Sequence, residues 1–339
     1  MIHTEPCKHI DHPLPLSQNA TARVSTMADL ASLPKDWILT SSQFTRKAHT
    51  NVYPAIHPGK ADNSLKGKTV VVTGASRGIG ARGIAPAFVE AGVKAIVLIA
   101  TNPAKLVNVE EELKMINPDL ETLSLSVDVS SRDQVAKAWL GIKARYHRVD
   151  ILVNNAGVES TDSDKTHEQD PDIFFRNFEV NVKGTHIMTQ QFLKAAVSWA
   201  TTADPARVIN MSSSSAWGTW PFLAAYSNSK AALIHYTTTL AASYPGTVLA
   251  IAVNPGLNDT DIIPQTLRAA GFNFNDPALT GATLVWLTAD PVRSQFLNGR
   301  VVTVEWDVEE LMARKEEITK NNLLTMQLNA VLGKGQFAD

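Results

Sequence analysis

The chain has 339 residues, 44% of them hydrophobic and 19% charged, with 31 Lys and Arg against 33 Asp and Glu. A formal charge of −2 excludes a strongly basic surface for nucleic acid or an anionic membrane, and no apolar run approaches the ~20 residues of a bilayer span. The one cysteine, Cys7, excludes an internal disulfide framework, and residues 1–6 show no secretory signal, so a cytoplasmic location is expected.

Pro6, Pro13, Pro15, Pro34, Pro54 and Pro58 argue against long helices in residues 1–64, an N-terminal extension. Residues 1–30 are open between a disordered tail and a packed segment. For residues 36–58, Trp37, Phe44, Tyr53 and Ile56 favour an arm anchored on the body.

At Lys68 the pattern changes. Residues 69–73 form a β-branched run that reads as a buried strand and enters a glycine cluster. Similar runs follow at 94–100, 122–127, 150–153, 207–211, 247–253 and 300–304. Between them lie helix-sized segments at 79–91, 104–116, 133–146, 172–199, 226–244 and 277–287. Strands alternating with helices predict an α/β fold. The expected core, 65–306, is a doubly wound, seven-stranded parallel sheet with helices on both faces. Residues 307–339 read as a C-terminal helical extension. An amphipathic helix is expected over 307–322 through Val308, Leu311, Met312 and Ile318, then a packed apolar segment over 323–328.

Three motifs sit where strands end. Thr73-Gly74-Ala75-Ser76-Arg77-Gly78-Ile79-Gly80 joins the first strand to the first helix. Glycines there let the backbone approach a pyrophosphate, and the helix N-terminus supplies free N–H donors. The spacing departs from Gly-x-Gly-x-x-Gly, but the strand–turn–helix setting favours dinucleotide binding. Asn154-Asn155-Ala156-Gly157 ends the fourth strand and Ser212–Ser215 the fifth; each alone also fits a simple polar turn. In Tyr226-Ser227-Asn228-Ser229-Lys230, the Tyr and Lys fall one helical turn apart. A Lys ammonium ~4 Å from the phenol would favour the phenolate by roughly 4 kcal/mol, at most ~3 pKa units. The nine His show no metal-ligand spacing, so no metal site is expected. A Gly-x-Ser-x-Gly elbow is absent.

Taken in order, these residues resemble the short-chain dehydrogenase/reductase family over roughly 65–306. Asn254-Pro255-Gly256 with Thr260 resembles its Pro-Gly turn, Asp128-Val129 its adenine-contacting pair, and Asn181 in Asn181-Val182-Lys183-Gly184 its fourth catalytic residue. Tyr53-Pro54-Ala55-Ile56 is similar, more softly, to long-form fungal members of secondary metabolism. The resemblance implies a Rossmann-like fold and oxidoreductase activity on a small carbonyl or alcohol substrate. Tyr226 would be the general acid or base and Lys230 its tuning partner and ribose contact. Ser213 would hold the substrate oxygen, with Ser212 the fallback, and Asn181 would anchor a proton-relaying water. Cofactor contacts carry over to Gly74, Ser76, Arg77, Gly78, Ile79, Gly80, Thr101, Asp128, Val129, Asn155, Ala156, Gly157, Tyr226, Lys230, Pro255, Gly256 and Thr260.

An acid after the second strand would bind a ribose 2′-OH, yet that end reads Ile99-Ala100-Thr101-Asn102. Together with Arg77 this favours NADP(H), with NAD(H) the second choice. Trp217, Trp220, Pro221 and Phe222, and Ile262, Ile263, Leu267, Phe272 and Phe274, point to an apolar or cyclic substrate. The resemblance also implies a homodimer or homotetramer through the helices at 172–199 and 226–244. Rival readings keep the cofactor for dehydration, epimerisation or cyclisation, or make the chain a non-catalytic nucleotide-binding regulator.

Overall fold

The computed structural model describes residues 27–330. Cys7 and residues 1–26 lie outside that range.

The arm carries two short helices, α1 (Met27–Ser32) and α2 (Trp37–Ser41). The core then alternates strands and helices: β1 (Thr69–Thr73), α3 (Ala85–Glu90), β2 (Ala95–Ala100), α4 (Pro103–Ile116), β3 (Glu121–Ser126), α5 (Arg132–Arg145) and β4 (Ile151–Asn154). It continues with α6 (Pro171–Phe178), α7 (Thr185–Ala196), β5 (Ala206–Met211), α8 (Ala224–Ser243) and β6 (Val248–Asn254). After β6 come α9 (Gln265–Ala270), α10 (Pro277–Ala289), α11 (Pro291–Ser294), β7 (Val301–Thr303), α12 (Val308–Ala313) and α13 (Lys315–Lys320). The strands form one seven-stranded sheet in the order β3-β2-β1-β4-β5-β6-β7, every pairing parallel. This is the expected Rossmann-like sheet. Its order reverses between β1 and β4, and the carboxyl ends of strands flanking such a switch are where ligands bind.

Burial on both faces explains the strand sequences. All five residues of β1 are buried. Val70 and Val72 face a layer with Phe88, Leu98 and Trp286, while Val71 faces the other with Val97, Trp139 and Phe192. Helix starts follow equally local chemistry. Asn102 caps α4, Ser131 caps α5, and the Asp-Pro pairs 170–171 and 276–277 start α6 and α10 with a side-chain cap and a pre-set φ.

Three expectations need correction. The helix expected over 172–199 is broken into α6 and α7 by a wide π-type turn, Glu179–Gly184, which carries Asn181. The helix expected over 307–322 is two helices meeting at Arg314, although Val308, Leu311 and Ile318 are buried as expected. Of the apolar segment 323–328, Leu324 packs on the core and its carbonyl accepts from Val301 N at 2.9 Å. Leu328 remains 74% exposed.

The arm is tied to the body. Ile56 is fully buried in the core. Trp306 Nε1 donates to Ser42 O at 2.8 Å, and Val308 N donates to the Tyr53 hydroxyl at 2.9 Å. The His49 ring stacks on Tyr53, its centroid 3.6 Å away, and pairs with Asp307 at 2.9 Å. Among the described residues no helix is long and apolar enough to cross a membrane.

Candidate active site

A cleft of about 340 Å³ runs along the carboxyl ends of the strands. Its first wall is the glycine loop. Gly74 has φ 65°, and a Cβ there would sit 2.8 Å from Ala156 Cα, so only glycine lets β1 and β4 end this close together. Asn155 locks the same junction: its Nδ2 donates to Thr73 O at 2.9 Å, and its backbone N donates to Thr73 Oγ1 at 3.0 Å. Ser76, Arg77, Gly78 and Ile79 line the cleft, whereas Gly80 packs behind the loop, where a Cβ would strike Gly74 O. Thr101, Asp128, Val129, Asn155, Ala156 and Gly157 continue the wall, and Pro255, Gly256 and Thr260 close it from the far side.

Asp128 accepts from Ser130 N at 2.9 Å and lies 3.8 Å from Arg176. Burial pushes its carboxyl upward, but those partners outweigh burial and hold it below the usual range. Arg77 forms an exposed ion pair with Asp261 at 2.9 Å. Asn102, committed to its capping bond, leaves no acid facing the cleft at the end of β2.

The second group lies where α8 passes the end of β5. Ser213, Tyr226 and Lys230 line the cleft together. Ser213 Oγ accepts from Ser215 N at 3.2 Å and from Ser215 Oγ at 3.0 Å. Ser212 points away, its hydroxyl donating to Lys230 O at 3.0 Å in a fully buried position. Both serines border the cleft, and the Ser212 hydroxyl is the one taken up by the backbone of α8. Asn181 is fully buried beside them: its Oδ1 accepts from Val158 N at 2.8 Å, and its Nδ2 donates to Ser229 Oγ at 2.9 Å. A Cβ on Gly157 would sit 3.3 Å from both Asn181 Oδ1 and Lys230 Nζ, so the turn leaves no room for a side chain.

The electrostatics differ from the expectation that Lys230 lowers the Tyr226 pKa. Lys230 Nζ donates to Met211 O at 2.8 Å and lies 5.5 Å from the Tyr226 ring centroid. Burial pushes the phenol up to about 12, opposed by the nearby Ser213 hydroxyl and helped by the Glu159 charge. Tyr226 is only half-buried at the cleft wall, so solvent there tempers the push. Burial also presses the ammonium of Lys230 down to about 8. At neutral pH both groups hold their protons, which suits donation to a carbonyl oxygen.

The model of the family described as short chain dehydrogenase matches residues 68–270. The chain belongs to the short-chain dehydrogenases. Relatives of this dehydrogenase include short chain dehydrogenase mpl6 of Monascus purpureus, 35% identical over 83% of this chain and 95% of that protein. Short chain dehydrogenase pigC of Monascus ruber is 31% identical over 87% and 95% of the two chains. Among solved structures, a 3-oxoacyl-[acyl-carrier protein] reductase with bound NAD from Brucella melitensis is 28% identical, with TM-score 0.63, over 77% of this chain and 97% of that one. The Pseudomonas aeruginosa RhlG/NADP complex is 25% identical, with TM-score 0.64, over 73% and 98%.

The substrate side of this dehydrogenase sorts the expected aromatics. Trp220, Ile262, Ile263 and Leu267 line the cleft. Phe222 and Phe272 pack in the same apolar cluster as Trp220, Ile263 and Leu267 without lining the cleft, whereas Trp217 is 43% exposed and Phe274 36%. Four residues escaped the sequence motifs. Glu159, two places beyond the Gly157 turn, lines the cleft with its carboxyl raised by burial despite a 2.7 Å bond from Thr161. Arg176 and Ile38 line it from segments without a motif. Glu305 lies behind the Pro255-Gly256 turn, accepting from Asn275 Nδ2 at 2.8 Å, and burial raises its carboxyl to about 7. Only position can reveal such residues.

Proposed function

We propose that this short-chain dehydrogenase is an NADP(H)-dependent ketone reductase or secondary-alcohol dehydrogenase acting on a small, largely apolar or cyclic substrate. The observation that carries the reading is that Ser213 and Tyr226, with Lys230 one turn along α8, line one wall of a cleft that begins at the glycine loop.

The loop fits a dinucleotide, since a Cβ at Gly74 or Gly80 would fill the space that holds β1 against β4. Gly74, Ser76, Arg77, Gly78, Ile79 and Gly80 would hold the pyrophosphate side, Thr101, Asp128 and Val129 the adenosine, and Asn155, Ala156, Gly157, Pro255, Gly256 and Thr260 the nicotinamide side. Bound, the cofactor supplies or accepts the hydride. Support for NADP(H) over NAD(H) comes from the lack of a cleft-facing acid after β2. The exposed Arg77–Asp261 pair is worth only about 0–1 kcal/mol, so Arg77 readily turns to a 2′-phosphate.

In reduction, Ser213 fixes the carbonyl oxygen while Tyr226 donates its proton to it. Lys230 Nζ, buried beside Gly157 and Asn181, returns a proton to Tyr226 through the hydrogen-bonded surroundings that Asn181 organises. Oxidation reverses these transfers. A cytoplasmic location and a place in fungal secondary metabolism are part of this reading, and the relatives reported above come from fungi of the genus Monascus.

We also read α6, α7 and α8 as the surface of a homodimer or homotetramer. Phe174, Phe175 and Phe178 cluster on α6, with ring centroids 5.4–5.9 Å apart, and Phe175 is 59% exposed.

The test is nicotinamide absorbance with NADPH and then NADH against a panel of cyclic and aromatic ketones. NADPH-dependent turnover supports the reading. Preference for NADH overturns the cofactor assignment, and binding of neither nucleotide overturns the whole.

A further inference from the structure

Ile38, Trp220, Leu223, Leu257, Ile263 and Leu267 all line the cleft. All six also belong to one apolar cluster, distinct from the two that sandwich the sheet. Five come from segments following β5 and β6. Ile38 alone comes from the arm that precedes the core.

The arm is fixed on both sides of α2, which carries Ile38. Ahead of it, Leu30 is 1% exposed within the same cluster. Lys35 Nζ donates to Ala270 O at 2.6 Å at the end of α9, and Asn273 N donates to Lys35 O at 2.9 Å. Beyond it, Ser42 O accepts from Trp306 at 2.8 Å, and His49 N donates to Glu305 O at 2.8 Å. Trp37 meets Trp220 edge-on, centroids 5.6 Å apart. Ile38 is thus held at a set position against the segment after the Pro-Gly turn.

We propose that Ile38 is a specificity-determining residue, and that this apolar end of the cleft takes the ring system of an aromatic or fused-ring ketone. The inference rests on the ketone-reductase reading. None of the six wall residues carries a charge, so the bound part of the substrate is apolar. Ile38 supplies the face that closes the end, making the arm a component of the substrate site.

The probe is prodan, a naphthyl ketone whose emission moves to the blue in apolar surroundings. It is titrated into the full chain saturated with NADP+ or NAD+, whichever binds. Filling or trimming such a wall changes ring binding by ~1–3 kcal/mol, with tenfold per 1.4 kcal/mol. Ile38→Trp should weaken prodan by about tenfold or more and Ile38→Ala by about threefold to tenfold. Both should keep nucleotide affinity within about twofold. Asp36→Ala, exposed and without a side-chain capping bond, should bind prodan as the parent does. Thermal melts check folding, and if Ile38→Trp fails to fold, Ile38→Ala carries the test. No blue shift with the parent chain, or unchanged prodan affinity in the folded Ile38 variants, overturns the proposal. Ile38-dependent prodan binding without reduction of any ketone would leave the wall standing and sink the reductase reading.

Discussion

Lys230 sets the pH behaviour of the proposed chemistry. Burial lowers its ammonium from 10.5 to about 8, and reduction needs that proton behind Tyr226. The kcat/KM for ketone reduction should therefore fall by about tenfold per pH unit above about pH 8. A flat profile to about pH 10 would contradict this role. The stability effect has the opposite sign. Because the folded pKa lies below the unfolded one, the unfolded chain holds more protons between about 8 and 10.5, and stability from this group rises with pH across that window. Spacing drew attention to Tyr226 and Lys230, but the choice of Ser213 and the roles proposed for all three came from the resemblance. The Tyr226 pKa was not legible, because sequence shows a neighbouring cation but neither the burial that raises the phenol nor the Met211 carbonyl that holds the ammonium.

At the scale of elements, the turn after β6 depends on a carboxyl far along the chain. Gly256 has φ 65°, and a Cβ there would collide with Glu305 Oε1. Glu305 is 3% exposed, and its pKa is raised from 4.5 to about 7. The folded state therefore holds more protons than the unfolded one across that range, so stability falls as pH rises from about 4.5 through about 7. Glu305→Gln should remove that slope. At pH 8 the variant should be more stable by up to about 3 kcal/mol, while at pH 5 it should differ little. Thermal melts at the two pH values measure it, and equal destabilisation at both would refute the account. The strands and the glycine loop could be read from sequence because β-branched runs and turn glycines act locally. The π-type turn around Asn181 could not, since residues 172–199 contain no proline to mark a break. Glu305 and Arg176 were invisible for the same reason: they reach the site through sheet order and helix placement, not through a motif.

Across the whole molecule, the arm and the proposed oligomer surface are read from packing and exposure, not from a motif. Tyr53 already suggested anchoring by its size, but the partners that hold it, Trp306 and Val308, are some 250 residues away and appear only in the fold. The aromatic cluster on α6 leads to a direct expectation. Phe175→Glu should shift sedimentation from the oligomer toward monomer with little loss of monomer stability, since the side chain is 59% exposed. An unchanged oligomer would move the interface elsewhere.

The central claim is hydride exchange with the cofactor, assisted by a proton from Tyr226. Its most direct test supplies NADPH deuterated at the transferring carbon with an accepted ketone, to the parent chain and to Tyr226→Phe. Mass spectrometry of the alcohol should find one deuterium on the carbinol carbon from the parent chain. The variant should lose about 100-fold or more of turnover while keeping its melting temperature and NADPH affinity. Product without deuterium, or a Tyr226→Phe variant that works as well as the parent, would contradict the account.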